Sequence, residues 1–466
     1  MTVLGPQIEA LKQIQSRQVV GSVATVRGLS ILVDDLPLPI GSLARMERRT
    51  HVPNAEGRIV RGEVVGFEGP RSLLMLFGPS HGIAPGTPVI GEQVAQTVQV
   101  GSSLLGRVID GLGRPIDGRP PPPDTIARPL HAPPTCALNR RQIDEPIPTG
   151  VRVIDAMVTL GKGQRVGIFS GPGVGKSTLL AVIARNTAAD VNVIALIGER
   201  GREVREFLEN ALGPEGLARS VVVVATGDES PLLRVRAASV ACAVAEHFRD
   251  LGSDVMLMMD SITRLAQAQR QVGLTVGEQP ATKAYTPSVF AMLPVVLERA
   301  GAIEGGGTIT GLYAVLVEGD DMSEPISDAA RGVLDGHVGL ARKLAAKGHY
   351  PAVDLLDSIS RVADDVCDEH HVAARRRLIT LAAAYAEAEE LINIGAYAVG
   401  SNPDCDAAIA MKPAIDAFLK QTTTEKAAYP ETCRMLIELS AQIERTYAEQ
   451  AAVRAAPTGV GPPTGA

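Results

Sequence analysis

Apolar residues follow three different rhythms along the 466-residue chain. Between residues 19 and 98 they come in short runs, VVGSVATVRGLSILV, GRIVRGEVVGFE and SLLMLF, divided by Gly, Pro and Asn. Short strands with turn signals between them predict a small barrel or sandwich. From about residue 150 the runs become continuously apolar (QRVGIF, VNVIALI, SVVVVAT, VMLMMD, GLYAVLV) and alternate with helical spacing. Strands buried on both faces read this way, as in a parallel sheet covered by helices. Past residue 365 the strand signals stop. Ala373 to Tyr397 and Tyr429 to Glu449 are rich in Ala and Leu at helical spacing, which predicts an α-helical C-terminal unit.

Three segments fall outside these rhythms. Over residues 1–18, Ile8, Leu11 and Ile14 recur every three positions with Glu9, Lys12 and Gln13 between them. That spacing predicts a short helix, either a frayed terminus or a docking helix for a partner. The stretch GRVIDGLGRPIDGRPPPPDTIARPLHAPPT reads as a connector, with Pro120 to Pro123 and Pro133–Pro134 stiffening residues 117–134. Residues 456–466 are rich in Pro and Gly and are expected to be disordered.

Composition narrows the function classes. Apolar residues make up 45 % of the chain, enough for sizeable cores, and at roughly 150 residues per domain about three domains are expected. The net charge of −7 argues against a general binder of nucleic acid or anionic membrane. Aromatics at 3 %, with no Trp, argue against base stacking as the main work. The five cysteines (Cys136, Cys242, Cys367, Cys405, Cys433) are scattered without CxxC spacing, so neither a disulfide framework nor a zinc knuckle is indicated. His370–His371 is the one tight histidine pair. Adjacent helical residues point about 100° apart, so solvated surface is expected there rather than a metal clamp. No run of 18 apolar residues predicts a membrane span, and the N-terminus lacks the basic start and apolar stretch of a signal peptide. The expectation is a soluble, multidomain protein of a reducing compartment.

The strongest chemical signal is Ser170-Gly171-Pro172-Gly173-Val174-Gly175-Lys176-Ser177-Thr178, between the apolar run Arg165–Phe169 and the helical run TLLAVIARN. Glycines let backbone N–H groups turn toward phosphate oxygens. Lys176 is placed to reach the β- and γ-phosphates, and the Ser177 hydroxyl to bind Mg²⁺. The helix dipole adds to the attraction for the anion. Ser170 departs from the usual first glycine, at a position that makes a turn rather than a ligand contact. A second signal is the apolar strand Val255–Met259 ending in Asp260, the usual second half of a nucleotide–Mg²⁺ site, where Asp260 would hold the ion through water. Third, Gly198-Glu199-Arg200-Gly201-Arg202-Glu203 follows VNVIALI, at a strand's carboxyl end where α/β sheets bind ligands. Glu199 is the candidate to orient or deprotonate water, against the plain reading of a charged turn. Fourth, Arg361 closes the block from Tyr350 to Arg361 and reads equally as a surface ion-pairing residue or an arginine finger. The Arg375–Arg377 run is expected to be a solvated helix face.

Read in order, GRVIDGLGRPIDG, EPIPTGVRVIDAM, GPGVGKST, IGERGREV, MDSITR, YTPSVFAMLP, VEGDDMSEPISD and YPAVDLLDSISR resemble the rotary-ATPase superfamily. Within it, GERGREV and LVEGDDMSEPISDAARGVLDGH resemble type III protein-export ATPases. The tail AEELINIGAYAVGSNPDCDAAI is most similar to the flagellar branch. The resemblance covers about residues 20–445. It implies an N-terminal β-barrel (19–98), a central RecA-like α/β P-loop ATPase domain (99–365) and a C-terminal α-helical domain (366–455).

It also implies a homohexameric ring with ATP and Mg²⁺ between subunits. Position by position, it makes residues 170–178 the phosphate loop, Glu199 the catalytic glutamate and Arg200 its neighbour. It makes Asp260 the Mg²⁺-associated aspartate and Arg264 an arginine near the γ-phosphate. Tyr350 becomes the aromatic on adenine and Arg361 a finger offered to the next subunit. The implied partners are a stator-like regulatory protein at the N-terminal helix, a coiled-coil stalk in the ring, the export gate and chaperone–cargo complexes, with no nucleic acid. Gln279 to Pro294 would face the pore or pack between domains. The implied location is cytoplasmic, peripheral to a membrane export apparatus. The alternatives are an injectisome ATPase, a low-turnover ring subunit, which intact Glu199 and Arg361 weigh against, and a hexameric RNA translocase, which the acidic balance and scarce aromatics weigh against.

Overall fold

The computed structural model describes residues 18–48, 58–93, 96–317, 319, 321 and 323–455. The expected N-terminal helix, apart from Gln18, and the expected C-terminal tail lie outside the described residues. Six antiparallel strands form the first unit: β1 (Val20–Arg27), β2 (Ser30–Asp34), β3 (Leu43–Glu47), β4 (Ile59–Glu68), β5 (Arg71–Leu76) and β6 (Pro88–Gln93). They close into a barrel in the order β1-β2-β5-β4-β3-β6, with Val23, Ile31, Val33, Met46, Val64, Leu74 and Val89 filling it. Closure removes the sheet edges that such short strands would otherwise expose.

The chain then runs through β7 (Thr97–Val100), β8 (Arg107–Asp110) and β9 (Ile126–Pro129). β7 and β9 pair with each other, while β8 joins the edge of the central sheet. The sequence reading leaves β8 in the connector, because only Val108 and Ile109 carry an apolar strand signal. Charge pairing supplies the rest. Arg107 holds Asp117 at 2.6 and 3.0 Å, and Arg114 Nε holds Asp110 Oδ2 at 2.8 Å, folding the polar loop back onto the edge.

The central sheet continues with β10 (Arg165–Ser170), β11 (Val191–Ile197), β12 (Ser220–Ala225), β13 (Asp254–Asp260), β14 (Gly301–Ala302), β15 (Thr308–Leu316), β16 (Gly336–Leu340) and β17 (Val353–Ser360). Its order is β17-β16-β10-β15-β13-β11-β12-β8, with β14 and β17 antiparallel to their neighbours. Alternation along the buried strands divides two cores. Val166, Ile168, Ile194, Leu196, Met256 and Met258 face one side, and Phe169, Val193, Ala195, Leu257, Met259 and Tyr313 the other. The first side takes the helix Lys176–Asn186 and the C-terminal helices. The second takes the helices Pro231–Asp250, Ile262–Thr275 and Pro287–Leu297.

The C-terminal unit packs three helices, Glu369–Asn393, Pro403–Leu419 and Tyr429–Ala455, against the short helix Arg152–Met157 through Leu378, Leu381, Leu436 and Ile443. Asp368 and Asn402 cap the first two by accepting backbone N–H groups. Two expectations are corrected here. His371 is buried, its Nε2 at 2.8 Å from the Ala156 carbonyl and its Nδ1 at 3.5 Å from Cys433 Sγ. The pair therefore splits between solvent and an interhelix contact. The arginine run is also not a simple solvated face: buried Arg375 and exposed Arg376 both pair with Asp364, and Arg377 reaches Glu444 at 2.7 Å. The barrel is fixed to the central domain by Met75 against Leu232 and Val272, and by a buried pair, Arg236 Nη1 to Glu63 Oε2, at 3.4 Å. Among the described residues no helix is long and apolar enough to cross a membrane.

Candidate functional site

The centre of the sheet explains where the site sits. β10 lies between β15 and β16, and the chain leaves its carboxyl end as residues 170–175 before the helix begins at Lys176. Gly173 (φ 78°) and Gly175 (φ 95°) occupy left-handed backbone that a side chain would strain, and Gly175 is the N-cap of that helix. A Cβ on Gly175 would lie 3.7 Å from the Tyr350 ring, so the ring rests against the loop. Pro172, Gly173, Ser177 and Thr178 are exposed, leaving the loop's outer face open. Ser170 is buried; its carbonyl accepts Val317 N–H at 3.0 Å, and its hydroxyl has no partner among the described residues.

Of three cavities that touch the loop, two hold other residues singled out from sequence. One, of ≈ 300 Å³, is mostly apolar: Val151, Leu179, Val182 and Leu340 line it with Tyr350, and Gln421, Thr422 and Thr423 of the C-terminal unit close it. The other, of ≈ 220 Å³, is mixed: Leu196, Val204 and Phe207 line it together with Ser177, Thr178, Glu199, Glu203 and Asp260. Lys176 is buried and ion-paired through Nζ with Asp260 Oδ1. Asp260 ends β13 opposite Leu196 of β11, so Asp260 and Glu199 meet at the carboxyl ends of neighbouring strands. Ser261 caps the next helix by accepting the Arg264 N–H at 3.3 Å. That cap sets Arg264 one turn along, where its Nε lies 3.3 Å from Glu199 Oε1 and its Nη1 donates to the Gly198 carbonyl.

Burial is the largest influence on Glu199. With Asp260 and Glu203 beside it, burial outweighs Lys176 and Arg264 and pushes the Glu199 carboxyl up to about 7. Glu203, which donates no charge relief to Glu199 but shares a hydrogen bond with it, is held below its ordinary value. The pair thus divides into one carboxyl poised near neutrality and one firmly ionised, the usual arrangement for a group that moves a proton.

Of the residues singled out from sequence, the structure brings together residues 170–178, Glu199, Asp260, Arg264 and Tyr350. Arg200 is exposed and pairs with Glu203 at 3.1 Å. Arg361 stands apart: it follows β17, is exposed, has no ion-pair partner among the described residues and lines neither cavity. Sequence reasoning missed Glu203, although its block was noticed. It also missed Gln421–Thr423, which carry no local signal because their contacts lie some 270 positions away. Gln421 accepts the Arg152 N–H at 2.7 Å and donates to the Gly150 carbonyl at 2.9 Å. The Thr149–Gly150 turn it holds is fixed by buried Asp155, which accepts N–H groups of both residues and the Thr149 hydroxyl.

A chain with a barrel, a sheet domain carrying a glycine-rich loop beside an apolar cavity, and a helical unit matches known family models in the same order. Residues 36–109 match the ATP synthase alpha/beta family, beta-barrel domain, and residues 150–360 its nucleotide-binding domain. The chain belongs to the ATP synthase alpha/beta family. Residues 367–438 match the T3SS EscN ATPase C-terminal domain, which places the chain among the type III export ATPases of that family. It is 48 % identical over 437 residues to the flagellum-specific ATP synthase of Bacillus subtilis (strain 168), covering 94 % of this chain and 99 % of that one. It is 48 % identical over 421 residues to the type 3 secretion system ATPase of Xanthomonas euvesicatoria, covering 90 % and 94 %. Its fold is similar to that of the assembled ATPase EscN with its central stalk EscO from the enteropathogenic E. coli type III secretion system. That structure is matched with a TM-score of 0.82 at 40 % identity, over 90 % of this chain and 100 % of that one.

Proposed function

We propose that the chain hydrolyses ATP with Mg²⁺ at sites shared between the subunits of a homohexameric ring, and that this turnover energises or gates flagellar protein export. The carrying observation is the pair of cavities beside residues 170–178 together with an exposed Arg361 that lies in neither. An apolar cavity would take the base and a second cavity holds Glu199 and Asp260, whereas the Arg361 guanidinium, without an ion-pair partner among the described residues, is free to meet a neighbouring subunit.

The residues present suit a hard cation. Ser177 and Asp260 offer oxygen donors in one cavity, and among the described residues no cluster of three or more His, Cys, Asp or Glu could hold a metal without the substrate's phosphates. Mg²⁺ bound there would neutralise charge on the β- and γ-phosphates. The loop's N–H groups cradle the phosphates, and Lys176 exchanges its partner Asp260 for phosphate oxygen. Glu199 orients water toward the γ-phosphorus and takes its proton as the bond to the bridging oxygen breaks and ADP leaves. Arg264 keeps the Glu199 carboxylate aimed. Tyr350 stacks on the base, and Arg361 of one subunit neutralises charge at the next subunit's γ-phosphate. Arg200 sits beside this set, holding Glu203.

The flagellar assignment rests on the block AEELINIGAYAVGSNPDCDAAI. The central stalk named for EscN supports a coiled-coil stalk here, at the helical unit. A stator-like protein at the N-terminal helix, the export gate, chaperone–cargo complexes and a cytoplasmic position peripheral to the membrane complete the reading, without nucleic acid.

The test mixes two variants. Lys176→Ala and Arg361→Ala should each be nearly inactive alone, a finger being worth about 10³–10⁵ in rate. In an equimolar mixture about a quarter of the sites of a head-to-tail ring pair an intact Lys176 with an intact Arg361, so activity should return. Mixed rings that form by sizing but stay inactive would refute the shared site.

A further inference from the structure

We infer that Glu229 is a positioning residue for Glu199: it closes the turn that holds the backbone of the water-orienting glutamate. This rests on the proposed role of Glu199. Glu199 stands beyond the last paired residue of β11, where Ile197 lies opposite Ala225 of β12. Gly198 then turns in left-handed backbone (φ 74°), so strand geometry no longer dictates where the next residue goes. Pairing between the two loops takes over. Gly198 N–H donates to the Ala225 carbonyl at 2.6 Å, and Gly227 N–H donates to the Glu199 carbonyl at 3.0 Å. The loops approach so closely that a Cβ on Gly227 would lie 3.0 Å from the Gly198 carbonyl oxygen.

Glu229 closes the second loop twice. Its own N–H donates to the Thr226 carbonyl at 3.1 Å, and its Oε2 accepts the Thr226 N–H at 2.8 Å. Both polar groups of Thr226 are thus tied to one residue, and Gly227 is the next link in the chain, so its N–H keeps its aim at Glu199. Glu229 lines none of the three cavities at the loop, and its half-buried carboxylate acts on backbone rather than on substrate. Without that carboxylate the half-buried Thr226 N–H would lack a partner, a cost the turn relieves by opening toward water. Arg264 Nε holds the side-chain end of Glu199 at 3.3 Å, and Glu229 governs the backbone end. A turn that served stability alone would leave the rate of the folded enzyme untouched.

A reacting group displaced by about 1 Å can cost about a hundredfold in rate, so the effect belongs in kcat rather than in nucleotide binding. The experiment measures steady-state phosphate release by the full chain with excess Mg²⁺, and titration with a fluorescent ADP. The variants are Glu229→Ala, Glu229→Gln, Glu199→Gln and the double variant Glu199→Gln/Glu229→Ala. Glu229→Ala should lower kcat by about 10–100-fold and leave KM and ADP affinity unchanged. Glu229→Gln should keep most of the wild-type rate, because its amide oxygen still accepts the Thr226 N–H. The double variant should be no slower than Glu199→Gln, since both changes act through one group. An undiminished kcat in Glu229→Ala, a Gln variant as slow as the Ala variant, or a double variant slower than Glu199→Gln would each overturn the inference and leave the ATPase reading standing. A wild-type rate in Glu199→Gln would overturn the role of Glu199 and the inference together. If Glu229→Ala fails to bind ADP, Gly227→Ala decides, because its methyl presses on the same joint with Glu229 intact. A lower kcat with ADP binding retained would then support the inference, and a wild-type kcat would overturn it.

Discussion

Glu199 gives the sharpest test of the chemistry, because its environment fixes both the sign and the size of a pH effect. The group that takes the proton from water must be ionised. Burial, with Asp260 and Glu203 adjacent, raises the Glu199 carboxyl to about 7, so the active form is lost as pH falls through neutrality. A base with that midpoint is about 10 % ionised at pH 6 and about 90 % at pH 8, so kcat/KM for ATP should rise about tenfold between them. A carboxyl at the ordinary solution value would be ionised throughout that range and would give a flat profile.

The neighbours then supply controls of opposite direction. Arg264→Ala removes a positive charge that lowers the Glu199 midpoint, so the profile should move to higher pH. Glu203→Gln removes a hydrogen-bonded carboxylate that raises it, so the profile should move to lower pH. The assay is steady-state phosphate release from pH 5.5 to 8.5, read as kcat/KM so that it reports the free enzyme. A flat profile, or one that survives Glu199→Gln with its midpoint unchanged, would show that Glu199 is not the titrating base.

Two further substitutions probe the frame. Gly198 has φ +74°, and a Cβ there would sit 3.0 Å from Arg264 Cβ and Cδ; Gly198→Ala should therefore cost about 1–3 kcal/mol in backbone strain and displace Arg264 from Glu199. A lower melting temperature together with a lower kcat is expected, and an unchanged kcat would count against positioning by Arg264. Arg236→Met leaves Glu63 buried without its ionic partner and with only the Gln96 hydrogen bond to compensate it, a loss of up to about 3–5 kcal/mol for a broken buried pair. Burial already raises Glu63, so the deficit against wild type should be larger at pH 8, where the lone carboxylate would be charged, than at pH 5. Thermal unfolding at the two pH values measures it, and equal deficits would refute the pair's electrostatic role.

The parts legible in the sequence were those whose physics is local. A run of buried apolar residues, a glycine-rich turn and a helix start are neighbours in sequence, so β10, residues 170–178 and the following helix could be read directly. So could β13 with its terminal Asp260. Other features needed the fold. β8 looks like connector because its order comes from Arg107 reaching Asp117 rather than from apolar periodicity. His371 looks solvated until the Ala156 carbonyl arrives from a residue 215 positions away. Glu199 was a candidate from its place at a strand's carboxyl end and Arg361 from its residue type, but only resemblance preferred those roles, since a charged turn and a strand-end arginine look alike whatever they do. Gln421 had no signal at all: its value lies wholly in the turn it meets across 271 positions.

That last contact makes the cavity beside residues 170–178 a joint between two units, whatever it binds. One wall belongs to the sheet domain and the other to the helical unit, held by Gln421 and by Arg152, which donates to the Phe418 and Lys420 carbonyls at 3.1 and 3.0 Å. A ligand between the walls acts as a removable splint. At a hundred times its dissociation constant it adds about 2.7 kcal/mol to whatever holds the two faces together. Filled sites should then be stiff and emptied ones compliant. A ring whose sites fill and empty in turn would carry a travelling wave of rigidity, and anything leaning on its helical units would feel the wave pass as torque.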